Sequence, residues 1–359
     1  TRSPTVTGVQ TCALPILRYQ KVCLHSFGLA LPPRVLSSEE IEAELAPLYS
    51  RLKLPAGRLE LMTGIRTRRF WPEGTRPSEA ASLAGEEALV RSGLDRAAIG
   101  ALIFSSVSRD MMEPATASFV HRRLGLPAAC QIFDLSNACL GFLNGMMLVA
   151  NMLELGQIQA GLVVAGETAE DLLASTLRRM QGDPSLSRRS IKPLFASLTI
   201  GSGAVALVMT RKDFADSGHR LCGGAYRANS GWNHLCQGGS SEQGTLMSTD
   251  SEELLVHGIE TAAACWRQFS AELGWTADSI QRFFCHQVGR AHAARLFAAL
   301  QLDPARNFET LPILGNVGSV SAPLTMACGI EAGQLLPGQR AALLGIGSGI
   351  NSLMLGVEW

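Results

Sequence analysis

The segment ALIFSSV at 101–107 reads as a buried strand, and QRFFCHQ at 281–287, 180 residues further on, reads as another. The same spacing joins GLVVAGET at 161–168 to AALLGIGS at 341–348, and CLHSFGL at 23–29 to GAVALVM at 203–209. The helical pattern SEAASLAGEEALV at 78–90 lands on GIETAAACWRQFS at 258–270. Residue identity within each pair is almost nil, so what repeats is the order of elements. A repeat constrains a fold strongly, because both copies must build the same unit. Each half reads strand, insertion, helix, strand, glycine-marked turn, helix, strand. Strands alternating with helices imply a mostly parallel sheet covered on both faces, and continuous apolar strands fit that burial. Two halves packed back to back predict five layers: helix, sheet, helix, sheet, helix. The boundary is expected near residue 200, giving 17–200 as the half with a nucleophile and 201–359 as the half with a histidine, an asparagine and a glycine-rich turn.

Size and charge agree with a globular chain of about two domains: 359 residues, 47% hydrophobic, formal net charge zero. Zero net charge argues against a broad nucleic-acid or anionic-membrane surface. The charge-free run 139–153 contains Asn144 and Asn151 and is shorter than the roughly 20 apolar residues a bilayer needs, so it reads as a core helix. Nine cysteines, an odd number without a Cys-x-x-Cys pair, suggest free thiols in a reducing, cytoplasmic setting. The opening TRSPTVTGVQTCALPI, 1–16, makes a poor signal peptide and resembles linker read-through, a non-native or disordered segment outside the expected fold.

FDLSNACLGF at 133–142 is where chemistry enters. A run that reads as a buried strand, 130–135, passes through Ser136 or Asn137 as a helix cap into a long apolar helix stopped by Gly156. Cys139 in the first turn would feel the positive end of the helix dipole, which favours thiolate. Most buried cysteines are inert small hydrophobes, so spacing alone does not decide. His286 leaves a buried strand at the carboxyl edge of the sheet, where α/β folds build their sites, although a lone histidine there is more often a satisfied core residue. Cys285 faces the other way as packing, and His292 lies off the face of His286, which argues against a metal pair. Asn316 in LGNVGSV is locally a turn residue, but the repeat sets Ser319 opposite Cys139 and so places Asn316 just before the second central helix. GIGSG at 345–349 is weak as a phosphate loop and better suited to a tight turn presenting N–H groups, as an oxyanion hole requires. Glu113, before Pro114, is a loop carboxylate that matters only if a reaction needs a base.

With Cys139, His286, Asn316 and GIGSG in this order, the chain resembles the thiolase superfamily, and within it the ketoacyl-acyl-carrier-protein synthase III branch, over 17–359. The resemblance implies an α/β fold of the five-layer αβαβα kind with two pseudo-symmetric halves, assembled as a homodimer. The branch it looks most like is that of the head-to-head acyl-CoA condensing enzymes of long-chain olefin biosynthesis (OleA type). SVSRDMMEPATAS (106–118), NACLGFLNGM (137–146), WNHLCQG (232–238), HQVGRAH (286–292) and LLGIGSGINSLMLGVEW (343–359) carry it. In that family a Glu-Pro glutamate reaches across the dimer as base, which corresponds to Glu113 acting on the partner chain's site. Met62 stands where type III synthases commonly carry an arginine that helps hold coenzyme A, so no nucleotide-binding arginine is carried over; Gly289 falls where close relatives vary.

The implied reaction is a non-decarboxylative Claisen condensation of two fatty acyl-CoAs through an acyl-enzyme on Cys139. The N–H groups of Cys139 and Ser348 would hold the oxyanion, His286 and Asn316 the second thioester carbonyl, and Glu113 would take the alpha proton. Met111, Met112 and the run 146–149 are candidates for alkyl-tunnel lining, though most of them read as ordinary core. No metal or redox cofactor is expected, coenzyme A thioesters being substrates. Expected partners are a second copy of the chain and long-chain acyl-CoA, with no nucleic acid and no integral membrane segment. Two alternatives stay open: a decarboxylating synthase using malonyl-acyl carrier protein, and a Cys-His-Asn thioester hydrolase or acyltransferase to a non-carbon acceptor. A non-catalytic binding protein is disfavoured by the presence of all three side chains.

Overall fold

The computed structural model describes residues 17–359 except Gln243; the reading of 1–16 lies outside the described residues. The chain opens with β1 (Leu17–Arg18), β2 (Val22–Ala30) and β3 (Arg34–Ser37). Helices α1 (Ser38–Glu44), α2 (Ala46–Leu52) and α3 (Arg58–Thr63) lead to β4 (Thr67–Phe70), the antiparallel partner of β3. Strand and helix then alternate through α4 (Pro77–Ser92), β5 (Ile99–Phe104), α5 (Thr116–Leu124), β6 (Gln131–Asp134), α6 (Gly141–Glu154) and β7 (Ala160–Glu167). Next come α7 (Glu170–Gly182), α8 (Lys192–Phe195), β8 (Gly203–Arg211), β9 (Arg220–Ala228) and the hairpin β10 (Cys236–Ser241) with β11 (Gly244–Thr249). The second alternation is α9 (Ser251–Leu273), β12 (Arg282–Cys285), α10 (Arg290–Leu300), α11 (Leu311–Leu314), α12 (Ser321–Glu331), β13 (Arg340–Gly347) and β14 (Asn351–Glu358).

Ten strands follow one hydrogen-bonded order, β12-β13-β14-β9-β2-β8-β7-β5-β6, with β1 on β9. β9 and β2 meet through one residue pair, Cys23 with Arg220, so the order divides there into two five-stranded parts. In the first part β5 lies parallel between β6 and β7, and β8 runs antiparallel between β7 and β2. In the second β12 and β13 are parallel, and β14 runs antiparallel to both β13 and β9.

The 180-residue spacing survives for β5 with β12, β7 with β13, and α4 with α9. It fails for the strand at 203–209. That segment is β8, the antiparallel neighbour of β2 inside the first part, and not its counterpart in the second. The sheet positions pair β2 with β9 and β8 with β14, so the chain changes sheet between Arg211 and Arg220, past the expected boundary near 200. Fully buried strands look alike as apolar runs, and such a run carries no information about which neighbour it pairs with.

Three apolar clusters separate the layers. One places α4 and α5 on the outer face of the first part, another places α9 and α10 on the outer face of the second. Between them, α6 and α12 share the central cluster with residues of both sheets, including Val205, Leu207, Leu343 and Leu353. Glycine decides how close α6 can come. A Cβ at Gly145 would sit 2.7 Å from Val163, and one at Gly345 would sit 2.5 Å from Leu140 and 2.8 Å from Leu143. Gly345→Val should therefore lower the urea midpoint by the equivalent of about 1–3 kcal/mol, the usual penalty for overfilling a packed core.

Strand β6 departs from expectation. It is not buried: all four residues are exposed, Ile132 at 37% and Phe133 at 41%. It is the outermost strand of the first part, with β5 on one side and, among the described residues, no strand on the other.

Candidate active site

The turn before α6 is built to expose one side chain. Asp134 at the end of β6 accepts the N–H groups of Thr116 and Ala117, each at 2.7 Å, which ties the strand end to the start of α5. The backbone then folds back, Leu140 N–H donating to the Asn137 carbonyl at 3.0 Å and Gly141 N–H to that of Ala138 at 3.2 Å. Ala138 takes φ +46°, a left-handed conformation costing an L-residue about 1–3 kcal/mol unless its surroundings enforce it. Cys139 follows at once. Helix α6 starts only at Gly141, with Leu140 as its N-cap and no side-chain cap. The expected cap by Ser136 or Asn137 is absent because the Asn137 amide is turned to Asn144 and Asn351 instead.

The backbone N–H groups of Cys139 itself and of Ser348 both act to lower the pKa of the Cys139 thiol. Ser348 reaches it because β13 runs up against the turn: a Cβ on Gly347 would lie 3.5 Å from the Cys139 nitrogen and 3.6 Å from its Cβ. These donors do not make a thiolate. Burial pushes the thiol up to about 12, and the Cys236 sulfur and Glu167 carboxylate nearby add to the rise. The expected lowering by the helix dipole is opposed by this burial, since desolvation disfavours a charged sulfur. Alkylation of Cys139 by iodoacetamide should then quicken about tenfold per pH unit from pH 7 to 10, because every point lies below the thiol's pKa. A plateau below pH 8 would contradict it.

His286 follows β12 directly, and its N–H donates to the Leu344 carbonyl of β13 at 2.9 Å. Cys285 is buried in the outer cluster, as expected, so alternation turns His286 to the central side. Burial pushes the imidazole down to about 4, with the charge of His292 a second cause. His286 is therefore neutral at pH 7, and its Nδ1 is shut from solvent without a hydrogen-bond partner. His292, read as lying off this face, is thus an electrostatic neighbour.

Asn316 is buried and pinned by its backbone: its N–H donates to the Thr199 carbonyl and its own carbonyl accepts from Gly201, both at 2.9 Å. Its Oδ1 accepts the Gly318 N–H at 3.1 Å, which leaves Nδ2 as the side-chain donor. The turn role and the chemical role are thus compatible. Ser319, the positional equivalent of Cys139, binds Glu167 through N–H (3.2 Å) and hydroxyl (2.9 Å).

Comparison with known proteins identifies the family. The family model of 3-oxoacyl-[acyl-carrier-protein] synthase III matches 133–230, and the model of its C-terminal region matches 270–359. The acyl-CoA:acyl-CoA alkyltransferase of Shewanella oneidensis is 39% identical over 351 residues, covering 96% of this chain and 100% of the relative. That of Xanthomonas campestris pv. campestris is 39% identical over 341 residues, 95% of this chain and 99% of the relative. A cysteine-to-serine variant of Xanthomonas campestris OleA, solved with bound lauric acid and lauroyl-CoA, superposes with a TM-score of 0.91 at 38% identity, covering 95% of this chain and 100% of that one. The chain belongs to the acyl-CoA:acyl-CoA alkyltransferase (OleA) family. It is an acyltransferase-family enzyme with the thiolase-like fold.

In this family member Glu113 is exposed, in the loop between β5 and α5, flanked by Met111 at 38% and Met112 at 87% exposure. These two methionines stand at the surface, whereas Met146 and Val149 are fully buried central core. Sequence reading missed Glu167. Its carboxylate accepts from Val107 N–H (2.9 Å), Ser108 N–H (3.0 Å) and the Ser108 hydroxyl (2.9 Å) as well as from Ser319. It therefore binds the loop leading toward Glu113 to the loop carrying Asn316. The available signal was a lone carboxylate ending an otherwise apolar strand. Cys236 was also missed, since nothing local marks it as facing Cys139. Two surface clefts, of ≈ 430 and ≈ 420 Å³, flank the β10–β11 hairpin; Cys139, His286 and Asn316 line neither. Among the described residues no helix is long and apolar enough to cross a membrane.

Proposed function

We propose that the chain joins two fatty acyl-CoAs head to head, forming a beta-keto acid or thioester without decarboxylation. The N–H groups of Cys139 and Ser348 are the assigned donors, and the observation that carries the acyl-transfer step is the close approach of the glycine-rich turn to Cys139, a Cβ on Gly347 falling 3.6 Å from the Cys139 Cβ. The thiol loses its proton as it attacks the first thioester, and the carbonyl oxygen takes the negative charge between those donors. Coenzyme A leaves as a thiol with that proton, and the acyl group stays on sulfur. The second thioester carbonyl is placed against neutral His286 and the free Nδ2 of Asn316, where enolate charge can develop. No metal or redox cofactor takes part in this reading.

A head-to-head reaction must remove a proton from an alpha carbon, and Glu113 is the assigned base, acting in the partner's site. Support comes from its place on an exposed apolar surface near an unpaired sheet edge, which suits a second copy pairing along β6. The full-length likeness to two proteins named acyl-CoA:acyl-CoA alkyltransferase, and to a structure holding lauroyl-CoA, favours long-chain acyl-CoA as the donor.

Incubation with lauroyl-CoA as the only substrate tests the reading. Release of coenzyme A with a carbon–carbon coupled product, or its ketone, is the expected result. Free lauric acid alone would assign a hydrolase instead. Coupling that appears only with a malonyl donor would assign the decarboxylating synthase.

A further inference from the structure

Four polar side chains outside the reaction just described form one hydrogen-bonded line beneath the Cys139 turn. Tyr226 Oη donates to Asn351 Oδ1 at 2.8 Å. Asn351 Nδ2 donates to Asn137 Oδ1 at 3.2 Å and to the Ser348 carbonyl at 3.1 Å. Asn137 Nδ2 donates in turn to Asn144 Oδ1 on α6 at 2.8 Å. The Asn351 amide therefore links the segment that carries Cys139 to the one that carries Ser348. One is reached through Asn137, two residues before Cys139 and next to the left-handed Ala138. The other is reached at Ser348 itself. Gly349, with φ +134°, leaves the room this amide needs, since a Cβ there would run into Asn351 Nδ2.

We propose that Asn351 is the positioning residue of the oxyanion hole, a single NH₂ group that sets the separation of the Cys139 and Ser348 N–H donors. The inference rests on the reading that those two donors hold the oxyanion. Its physical basis is tolerance: such donors act at about 2.7–3.1 Å from the developing charge. Supporting groups must hold catalytic geometry to within about 0.5 Å. The two donors belong to segments more than 200 residues apart in the chain, and a strained turn such as Ala138 relaxes once its surroundings loosen. Tyr226 completes the arrangement by fixing which way the Asn351 amide points, since its hydroxyl occupies Oδ1 and leaves Nδ2 to bridge the segments.

Two reactions of the same sulfur separate this role from plain stabilisation. Acylation by lauroyl-CoA passes through an oxyanion. Alkylation by iodoacetamide forms a carbon–sulfur bond as iodide leaves and the thiol proton goes to solvent, with no oxyanion formed. Asn351→Ala is expected to slow acylation about 100-fold, the scale for losing one oxyanion donor, with KM for lauroyl-CoA changed less than about threefold. Alkylation of Cys139 in the same variant should stay within about threefold of the unmodified protein. Asn351→Asp, which keeps the volume but has no side-chain N–H, should behave as Asn351→Ala does. Tyr226→Phe, which leaves the backbone bridge in place, should slow acylation about tenfold and supplies the test if the Asn351 variants fail to fold. Equal losses in both reactions, or unchanged acylation, would overturn the inference. Failure of the unmodified protein to be acylated at all would instead overturn the functional reading beneath it.

Discussion

Glu113→Gln should leave Cys139 acylation by lauroyl-CoA intact and lower carbon–carbon coupling by about 10³-fold, within the range that general-base catalysis supplies. Gln keeps the size and polarity of the side chain and removes only its ability to take a proton, so the exposed loop has no reason to refold. A burst of coenzyme A equal to the enzyme, followed by silence, is the expected trace. Because the base is assigned to the partner's site, a mixing experiment gives a positive signal as well. Glu113→Gln and Cys139→Ala dimers are each inactive alone. After subunits exchange, half the dimers are mixed, and each mixed dimer has one site with an intact cysteine facing an intact glutamate. Coupling should return to about a quarter of the unmodified level, as symmetry dictates. Absence of recovery, with exchange verified, would place Glu113 in its own chain's site or outside the reaction.

The second large effect concerns the edge strand. Phe133→Asp puts a charge at a half-exposed position of β6, where an isolated chain would tolerate it well. If a second copy pairs along this edge, the charge is buried without a partner and association fails. Light scattering should then report a monomer, with a thermal midpoint showing that the chain still folds. Coupling should fall as far as in Glu113→Gln, although Cys139, His286 and Asn316 are untouched. A coupling-competent monomer would remove both the dimer and the trans-acting base from the mechanism.

Much of this arrangement was legible in the sequence because it follows from element ends. A cysteine after a strand and before an apolar helix, a histidine closing the repeat-related strand, and an asparagine ahead of the second central helix fall at carboxyl ends of the layers by topology. The glycine-rich turn read as an N–H donor, and the structure brings Gly347 of that turn against Cys139. What failed depended on neighbours distant in the chain. Asn137 reads locally as a helix cap, and only Asn351, 214 residues away, shows where its amide goes. The sulfur's protonation was read from the helix dipole, a local property, while burial and then the Cys236 and Glu167 side chains, distant in the chain, push it the other way. β6 reads as buried by composition because apolar side chains mark both core strands and surfaces that a second chain would cover. β8 read as a partner-half strand because an apolar run shows period and not register.

Holding Cys139 as a thiol also bears on how long such an enzyme survives in air. Thiolate attacks peroxide to give sulfenic acid, the first step toward sulfinic acid, and a thiol does so far more slowly. With burial pushing the sulfur's pKa up, thiolate is the minor form at neutral pH. The group that must be the best nucleophile in the chain is thereby kept from the oxidative damage that its reactivity would otherwise invite.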